Sequence, residues 1–299
     1  MKPPPAIIAL AWALFEAVLL GGGSSLAQAQ DYKINLHRPK RAGEQYRYAV
    51  DLRATVDTTL TSEGKIVKEE KNEKAAHFEA VEDILEADSD GDAARVRCKV
   101  KAMTRTLDGA AGKVIREGAT IEASRDGTST SFRVDGEPVT DPEMVELLKR
   151  FISVTTQHAA DDAKLAPAGR VKVGGTWKLD PAQVKEVLQK EAPFPLSVLN
   201  AEGQLAEVSR DGCNDLLTVK VHITCDTIPS LAPNTVLDSC KVESIAVGKF
   251  PATDANGEDD DRVDTLVSLA AHIDPPAGGH VILESKSVDK LTVTAKRVR

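Results

Sequence analysis

Tyr46-Arg47-Tyr48-Ala49-Val50-Asp51-Leu52-Arg53-Ala54-Thr55-Val56-Asp57 alternates without a slip. One set of positions reads Tyr46, Tyr48, Val50, Leu52, Ala54, Val56, and the other reads Arg47, Ala49, Asp51, Arg53, Thr55, Asp57. Successive side chains of a strand point to opposite faces, so this stretch predicts a strand with one dry face and one wet face. The pattern returns as Ala94, Val96, Cys98, Val100 and Ala102 against Arg95, Arg97, Lys99 and Lys101, and again as Val219, Val221, Ile223 and Cys225 against Thr218, Lys220, His222 and Thr224. Alternation of this kind belongs to antiparallel sheets with one solvated face. Glu63-Gly64, Asp90-Gly91, Asp108-Gly109, Asp126-Gly127 and Asp135-Gly136 punctuate the runs. Such pairs suit the positive φ values of tight hairpins, so a meander is expected from Tyr46 to Val139.

Two helices interrupt the strands. Thr140-Asp141-Pro142-Glu143 is a capping-box sequence with a proline in the first turn, and Met144, Val145, Leu147, Leu148, Phe151 and Ile152 follow at helical spacing. Asp180-Pro181-Ala182-Gln183 opens a shorter helix carrying Val184, Val187 and Leu188. The polar stretch from about His158 to Gly169 reads as a linker or surface loop. Strands resume after residue 200, and Ala270 to Arg299 forms a closing hairpin around Pro275-Pro276-Ala277-Gly278-Gly279. Asp254 to Asp261 reads as an acidic loop. Each half begins with a glycine-led strand and carries one Asp-Pro helix, so the halves echo each other.

The expected fold is mainly β with a few helices (α+β), a long curved antiparallel sheet or half-barrel packed on one or two helices. Residues 30–165 would form an N-terminal β lobe ending in a helix. Residues 166–299 would form a C-terminal β lobe with a short helix, in one continuous domain or two.

Residues 1–29 have a different character. Lys2 and three prolines precede the apolar run Ala6 to Phe15, extended by Ala17 to Leu20 and broken by Gly21-Gly22-Gly23. Ala27-Gln28-Ala29 supplies small residues at signal-peptidase spacing, so a secretory signal peptide is expected, with Gln30 or a neighbour as the mature start. The apolar part is too short to span ~30 Å of hydrocarbon, and Glu16 interrupts it. The expectation is export, with a periplasmic or extracellular mature chain that is soluble and makes no stable membrane insertion.

Removing 29 of 299 residues leaves 270, ample for a sizeable core. The lost segment holds one lysine and one glutamate, so the net charge stays at -8. That sign gives no attraction to phosphate backbones, and nucleic acid is a poor partner. Scarce aromatics (Trp177, three tyrosines and five phenylalanines in the mature chain) weaken sugar or single-strand binding. Cys98, Cys213, Cys225 and Cys240 permit two disulfides in an exported protein. Cys98–Cys225 with Cys213–Cys240 is one arrangement; Cys225–Cys240 with two free thiols competes. No C-x-x-C is present.

Gly43-Glu44-Gln45-Tyr46-Arg47-Tyr48 resembles the opening of a group of exported bacterial β-rich proteins of unknown function. Val173-Gly174-Gly175-Thr176-Trp177 resembles that group's mid-chain glycine-to-tryptophan motif. A more distant likeness, of architecture only, is to LolA-type half-barrel carriers. That resemblance implies a curved sheet wrapping helices and sheltering a lipid-like ligand, although architecture does not give function.

Each local candidate for chemistry has a bland competitor. Ser62-Glu63-Gly64-Lys65 and Ser287-Val288-Asp289-Lys290 both match S-x-x-K, but one is a charged hairpin, the other a closing strand, and the companion motifs are missing. His272, Asp274 and His280 converge only if their turn closes tightly, and a fourth ligand is lacking. Glu86 to Asp92 imitates an EF-hand start, yet its twelfth position is Arg97 and strands flank it. The Asp254–Asp261 loop holds calcium-type oxygens without recognisable order. Trp177 reads as a core anchor rather than a pocket floor. No catalytic, cofactor-binding or metal-ligating residue is therefore assigned, and no cofactor is expected. The leading expectation is a non-enzymatic binding or carrier protein for an apolar or peptide-like ligand, with a lipid-like molecule or an envelope protein as partner. A structural or interaction module of the cell envelope is the alternative. A hydrolase whose site is assembled only by the fold comes last.

Overall fold

A computed structural model describes residues 30–127, 129–154, 158–189, 195–211, 214–227, 235–252, 258–273 and 281–298. The expected signal peptide at 1–29 lies outside them. Among the described residues the chain forms β1 (Gln45–Ser62), β2 (Lys65–Ala87), β3 (Ala93–Leu107), β4 (Ala110–Ala111), β5 (Thr120–Asp126), β6 (Ser129–Val134), β7 (Glu137–Pro138), α1 (Pro142–Phe151), α2 (His158–Leu165), β8 (Thr176–Lys178), α3 (Pro181–Gln189), β9 (Leu196–Asp211), β10 (Asn214–Thr227), β11 (Thr235–Pro251), β12 (Glu258–Ile273) and β13 (Val281–Arg297).

All thirteen strands join one open antiparallel sheet in the order β7-β6-β5-β3-β2-β1-β13-β12-β11-β10-β9-β8, with β4 beside β3. The meander read from the sequence is present, and its turns have the expected chemistry. Glu63-Gly64, Asp108-Gly109 and Asp135-Gly136 all carry positive φ at both central positions, the type I′ geometry that matches strand twist. The closing hairpin pairs Ile273 with Val281, and β13 then runs against β1 from Tyr46↔Arg297 to Ser62↔Val281. The first and last strands therefore meet at the centre of the sheet, and the outermost strands have only two and three residues.

This topology revises the echo between the halves. The N-terminal half starts at the central strand and moves outward to end in its helix. The C-terminal half starts at the edge with its helices and moves inward. The glycine-led segment Val173–Trp177 leads into the three-residue edge strand β8, not into a counterpart of the 18-residue β1.

Two apolar cores sit on the inner face of the sheet. One gathers β1, β2, β3, β5, β6 and α1 around Phe78, Ile84, Ile121 and Leu148. Phe151 stacks on Phe78 with ring centroids 4.9 Å apart and planes at 7°. The other gathers β9 to β12, α2 and α3 around Val184, Leu205, Leu217 and Ile223. Asp141, rather than Thr140, caps α1: its carboxylate accepts from the Glu143 N–H at 3.1 Å, with Pro142 opening the helix. The capping box is thus replaced by an Asp cap, which serves the same orphan donors. Asp180 caps α3 through the Ala182 N–H at 2.8 Å.

Three expectations need correction. The stretch from His158 is helical as far as Leu165 rather than a loop. It shows almost no apolar periodicity, and tertiary contacts of Leu165 and Asp162, both buried, hold it. Of the acidic loop, Glu258 to Asp261 belong to β12, paired with Lys296 to Val293 of β13, so that part is strand rather than loop; 253–257 lie outside the described residues. Finally, Cys98, Cys225 and Cys240 are free thiols. Cys98 lies in one core and Cys225 in the other, which rules out their pairing. Cys225 faces Val242 in the β10–β11 register, leaving Cys240 on the diagonal, where Cα atoms stand about 7–8 Å apart and outside disulfide reach. Cys213 lies outside the described residues.

Residues 30–44 form a strap. Tyr32, Ile34 and Leu36 bury into the C-terminal core, and Tyr32 exchanges backbone hydrogen bonds with Val171 at 2.8 Å. The strap then crosses to the other half, where the Lys40 N–H donates to Gly91 O and the Gly43 N–H to Ile84 O. Arg38 donates to Pro251 O with its guanidinium over the Phe250 ring. Glu44 ends the strap, pairing with Arg297 at 2.9 Å and accepting from Tyr46 Oη at 2.8 Å.

Candidate binding face

Even-numbered positions of β1 and odd-numbered positions of β12 and β13 point to the inner face, where Val50, Val263 and Leu291 are buried. On the flanks this face is mainly apolar, with the buried Glu82 of β2 paired to Lys40. At the β1–β13 seam it is not. Three consecutive inward positions of β13 are Ser285, Ser287 and Asp289, bounded by Leu283 on one side and Leu291 and Val293 on the other. Register places Ser285 between Thr58 and Leu269, Ser287 between Val56 and Val267, and Asp289 between Ala54 and Thr265. Thr265 in turn faces Ser244 on β11. A polar lane therefore crosses the middle of an otherwise apolar surface.

Parts of the lane are internally satisfied. Ser244 Oγ and Thr265 Oγ1 lie 3.1 Å apart, and Thr58 Oγ1 and Ser285 Oγ lie 3.3 Å apart. Ser287 and Asp289 are different. They are 2% and 5% exposed, yet among the described residues Ser287 Oγ and both Asp289 carboxylate oxygens have no hydrogen-bond partner. The cations acting on Asp289 are Arg150, in the last turn of α1, and Lys74 on β2; neither reaches hydrogen-bond distance. Burial pushes the Asp289 carboxyl up to about 7, against the opposing pull of those two cations. Burial likewise holds the Arg150 guanidinium below its ordinary range, while Asp289 and Glu146 act in the other direction.

The residues singled out from the sequence fall elsewhere or lose their local meaning. Ser287 points inward while Lys290 is exposed on the outer face, so the second S-x-x-K cannot bring its lysine to its serine. Ser62 and Lys65 flank the β1–β2 turn as a register pair, with Lys65 exposed. His272 Nδ1 lies 2.8 Å from Asp238 Oδ1, a partner that sequence reasoning missed, and Asp274 and His280 lie outside the described residues. In the EF-hand-like stretch, Asp88 Oδ1 accepts from the Asp90 and Asp92 N–H groups and Oδ2 pairs with Arg125 at 3.0 Å. That carboxylate is spent on the β2–β3 turn. Among the described residues no group of three or more His, Cys, Asp or Glu side chains is placed to hold a metal. The free thiols are not activated. Burial pushes Cys98, 3.5 Å from Tyr48 Oη, well above the ordinary thiol range, and Cys225 and Cys240 up to about 11. Trp177 lies flat across Gly203, its register partner, and donates to Leu165 O at 3.1 Å, so it anchors the C-terminal core.

The Ser285–Asp289 lane was missed because its local pattern points the other way. Val288 sits between Ser287 and Asp289, so reading the strand alone puts Val288 inside and the polar pair outside. Among the described residues no helix is long and apolar enough to cross a membrane.

No family model and no curated protein matches the chain. Three solved structures resemble it weakly. A structure titled for lipid–protein interactions in lipovitellin is 9% identical, with a TM-score of 0.33, covering 83% of this chain and 25% of that one. The chain thus spans about a quarter of the lipovitellin chain it matches. An outer membrane channel from Pseudomonas putida F1 is 8% identical at TM-score 0.20, covering 93% of this chain and all of the other. A deletion mutant of the TodX monoaromatic hydrocarbon channel is 7% identical at TM-score 0.18, covering 87% of this chain and 91% of the other. Each score is too low to mark a shared fold.

Proposed function

We propose that the chain is an exported, non-enzymatic binding protein that holds an elongated, mainly apolar ligand against the inner face of its sheet, along the β1–β13 seam. One observation carries this reading. Each flanking core has its own helix, with Phe151 of α1 on Phe78 and α3 seated on β9. The seam between them keeps Leu52, Ala54 and Leu60 of β1 and Leu283 of β13 only half-buried. Apolar side chains that are partly covered and next to fully packed cores make a surface on which a long apolar molecule gains contact at little cost in rearrangement. The basic, then apolar, then small-residue start of the chain supports export.

Native mass spectrometry of the mature protein from its own envelope tests the reading, together with titration of the neutral fluorophore N-phenyl-1-naphthylamine. A bound small mass and saturable fluorescence enhancement are expected. A bare mass with no enhancement would overturn it.

A second reading, an interaction module, is favoured by one feature. β3 pairs with β2 only from Lys74 onward, so towards Lys65 β2 has β1 on one side and no strand on the other among the described residues. Ile66 and Val67 are both 61% exposed there. Lys65, Lys68, Glu69, Glu70 and Lys71 guard that edge against unselective pairing. Envelope cross-linking lost on Ile66→Lys/Val67→Lys, with fluorophore binding intact, would favour this reading over the first.

A further inference from the structure

We propose that Asp289, with Ser287 beside it, is the subsite for the polar end of the ligand, and that this end is a neutral hydrogen-bond donor such as a hydroxyl or a primary amide. The inference rests on the binding reading above and adds the chemistry of one end of the ligand.

A carboxylate that is 95% removed from solvent with both oxygens unpaired is among the costliest arrangements a core can hold, and native structures seldom keep one without a use. The fold cannot relieve it by rotation. β13 is paired along its whole length on both sides, and a slip of one residue would turn Leu291 and Val293 to solvent. Ser287 Oγ, two positions along the same face, is also unpaired. A hydroxyl placed between them donates to one carboxylate oxygen and accepts from the serine, satisfying two orphaned atoms, and a primary amide, with two N–H donors, can satisfy all three. Thr265 is already engaged by Ser244, so it frames the subsite without competing for the guest. Ala54, Val56 and Val267 are the register neighbours of these polar groups, so a single polar end matches them while the rest of the ligand stays apolar.

The sign of the field selects a neutral group. Arg150 and Lys74 already place positive potential on Asp289. A cationic end would meet that potential where charges are poorly screened, and an anionic end would meet the carboxylate itself. A neutral donor meets neither penalty. It also suits either protonation state of a carboxyl pushed up to about 7, since the ionised form accepts and the protonated form both donates and accepts.

The test is competition against bound N-phenyl-1-naphthylamine on the mature chain by dodecanol, dodecylamine and dodecanoate, in wild type, Asp289→Leu and Ser287→Ala. Dodecanol should compete best in wild type. Asp289→Leu should weaken dodecanol by about tenfold or more, the worth of a buried hydrogen bond to a carboxylate, after correction for that variant's own fluorophore affinity. Ser287→Ala should weaken it by a smaller factor in the same direction, and it carries the test if the leucine variant fails to fold. Equal competition by dodecanol in wild type and both variants would overturn the subsite while leaving the apolar binding face standing. Dodecylamine or dodecanoate competing best in wild type would overturn the neutral-donor assignment. Absence of fluorophore binding in wild type would overturn the binding reading and this inference with it.

Discussion

On β2 and β3 the inward positions include Phe78, Ala80, Ile84, Val96, Cys98 and Val100, none more than 1% exposed and all apolar or nearly so, and the one buried charge among them, Glu82, is paired with Lys40 at 3.4 Å. On β13, two strands away in the same sheet, three inward positions in a row are Ser285, Ser287 and Asp289. Both regions are antiparallel with alternating side chains, but β13 pairs without irregularity on both sides while the β2–β3 register shifts at Glu79/Ala80 and again between Ile84 and Ala87. The difference lies in what each region asks of its contents. The flank is closed by its own side chains, down to a phenylalanine from α1 stacked on a phenylalanine from β2. The seam leaves polar atoms unanswered inside the protein. A sheet built only for stability would carry Val or Leu at Asp289, since an unpaired buried charge costs more than an apolar residue of similar size.

The contrast can be broken most forcefully on the flank. Phe78→Ala removes a fully buried ring between Tyr48 and Phe151 and should destabilise by about 3–5 kcal/mol in urea unfolding. A loss below about 1 kcal/mol would mean that the flank is loosely packed and the contrast with the seam false. At the seam the sign should reverse. Asp289→Leu should stabilise the ligand-free chain by roughly 1–4 kcal/mol near pH 8, since it removes an unpaired buried charge.

The same residue carries a pH signature. Its folded value, about 7, lies above the ordinary 3.8, so between those limits the folded chain keeps a proton that the unfolded chain has released. The stability it contributes is complete below 3.8 and is lost as the pH rises to about 7. Asp289→Asn should flatten that decline relative to wild type when unfolding is compared at pH 4.5 and pH 8. Identical pH dependence in the two proteins would show Asp289 to be solvated.

Smaller effects probe the opposite flank. Gly203→Ala puts a methyl into the Trp177 indole and should cost about 1–3 kcal/mol with a shift in tryptophan emission. An unchanged spectrum would show that the indole does not lie on Gly203. The smallest effect belongs to the strap. His37 Nδ1 lies 3.5 Å from Asp162, and its Nε2 is 2.7 Å from Asp90 O. The contact with Asp162 raises the imidazole to about 9 against the opposing effect of burial. The charged form is favoured on folding, so the contribution is full below 6.5 and is lost as the pH rises through about 9. His37→Gln should cost about 1 kcal/mol at pH 6 and nothing measurable above pH 10.

The flanks were largely legible in the sequence. Tyr48, Val50, Val96, Cys98 and Val100 alternate with charged neighbours, and the α1 stripe has the spacing of a buried helix face, so burial follows from local pattern. Residues 32–36 were legible in principle, since Tyr32, Ile34 and Leu36 alternate, although nothing local says that they cross to the far core. α2 was not legible, because Leu165 and Asp162 gain their burial only from that core and the strap.

The sequence by itself determined where strands start and turn. Positive φ at Asp-Gly and Glu-Gly pairs and the alternation of side chains are local properties, settled within four residues. Only the tertiary structure decided which face of β13 looks inward. In Ser287-Val288-Asp289 the local pattern favours a buried Val288. The pairing of Ser287 with Val56 and of Leu291 with Leu52, across more than two hundred residues of chain, turns Ser287 and Asp289 inside. A strand fixes its alternation but not its phase, and phase comes from register with a distant partner, where burying Leu291 outweighs leaving Val288 half-exposed.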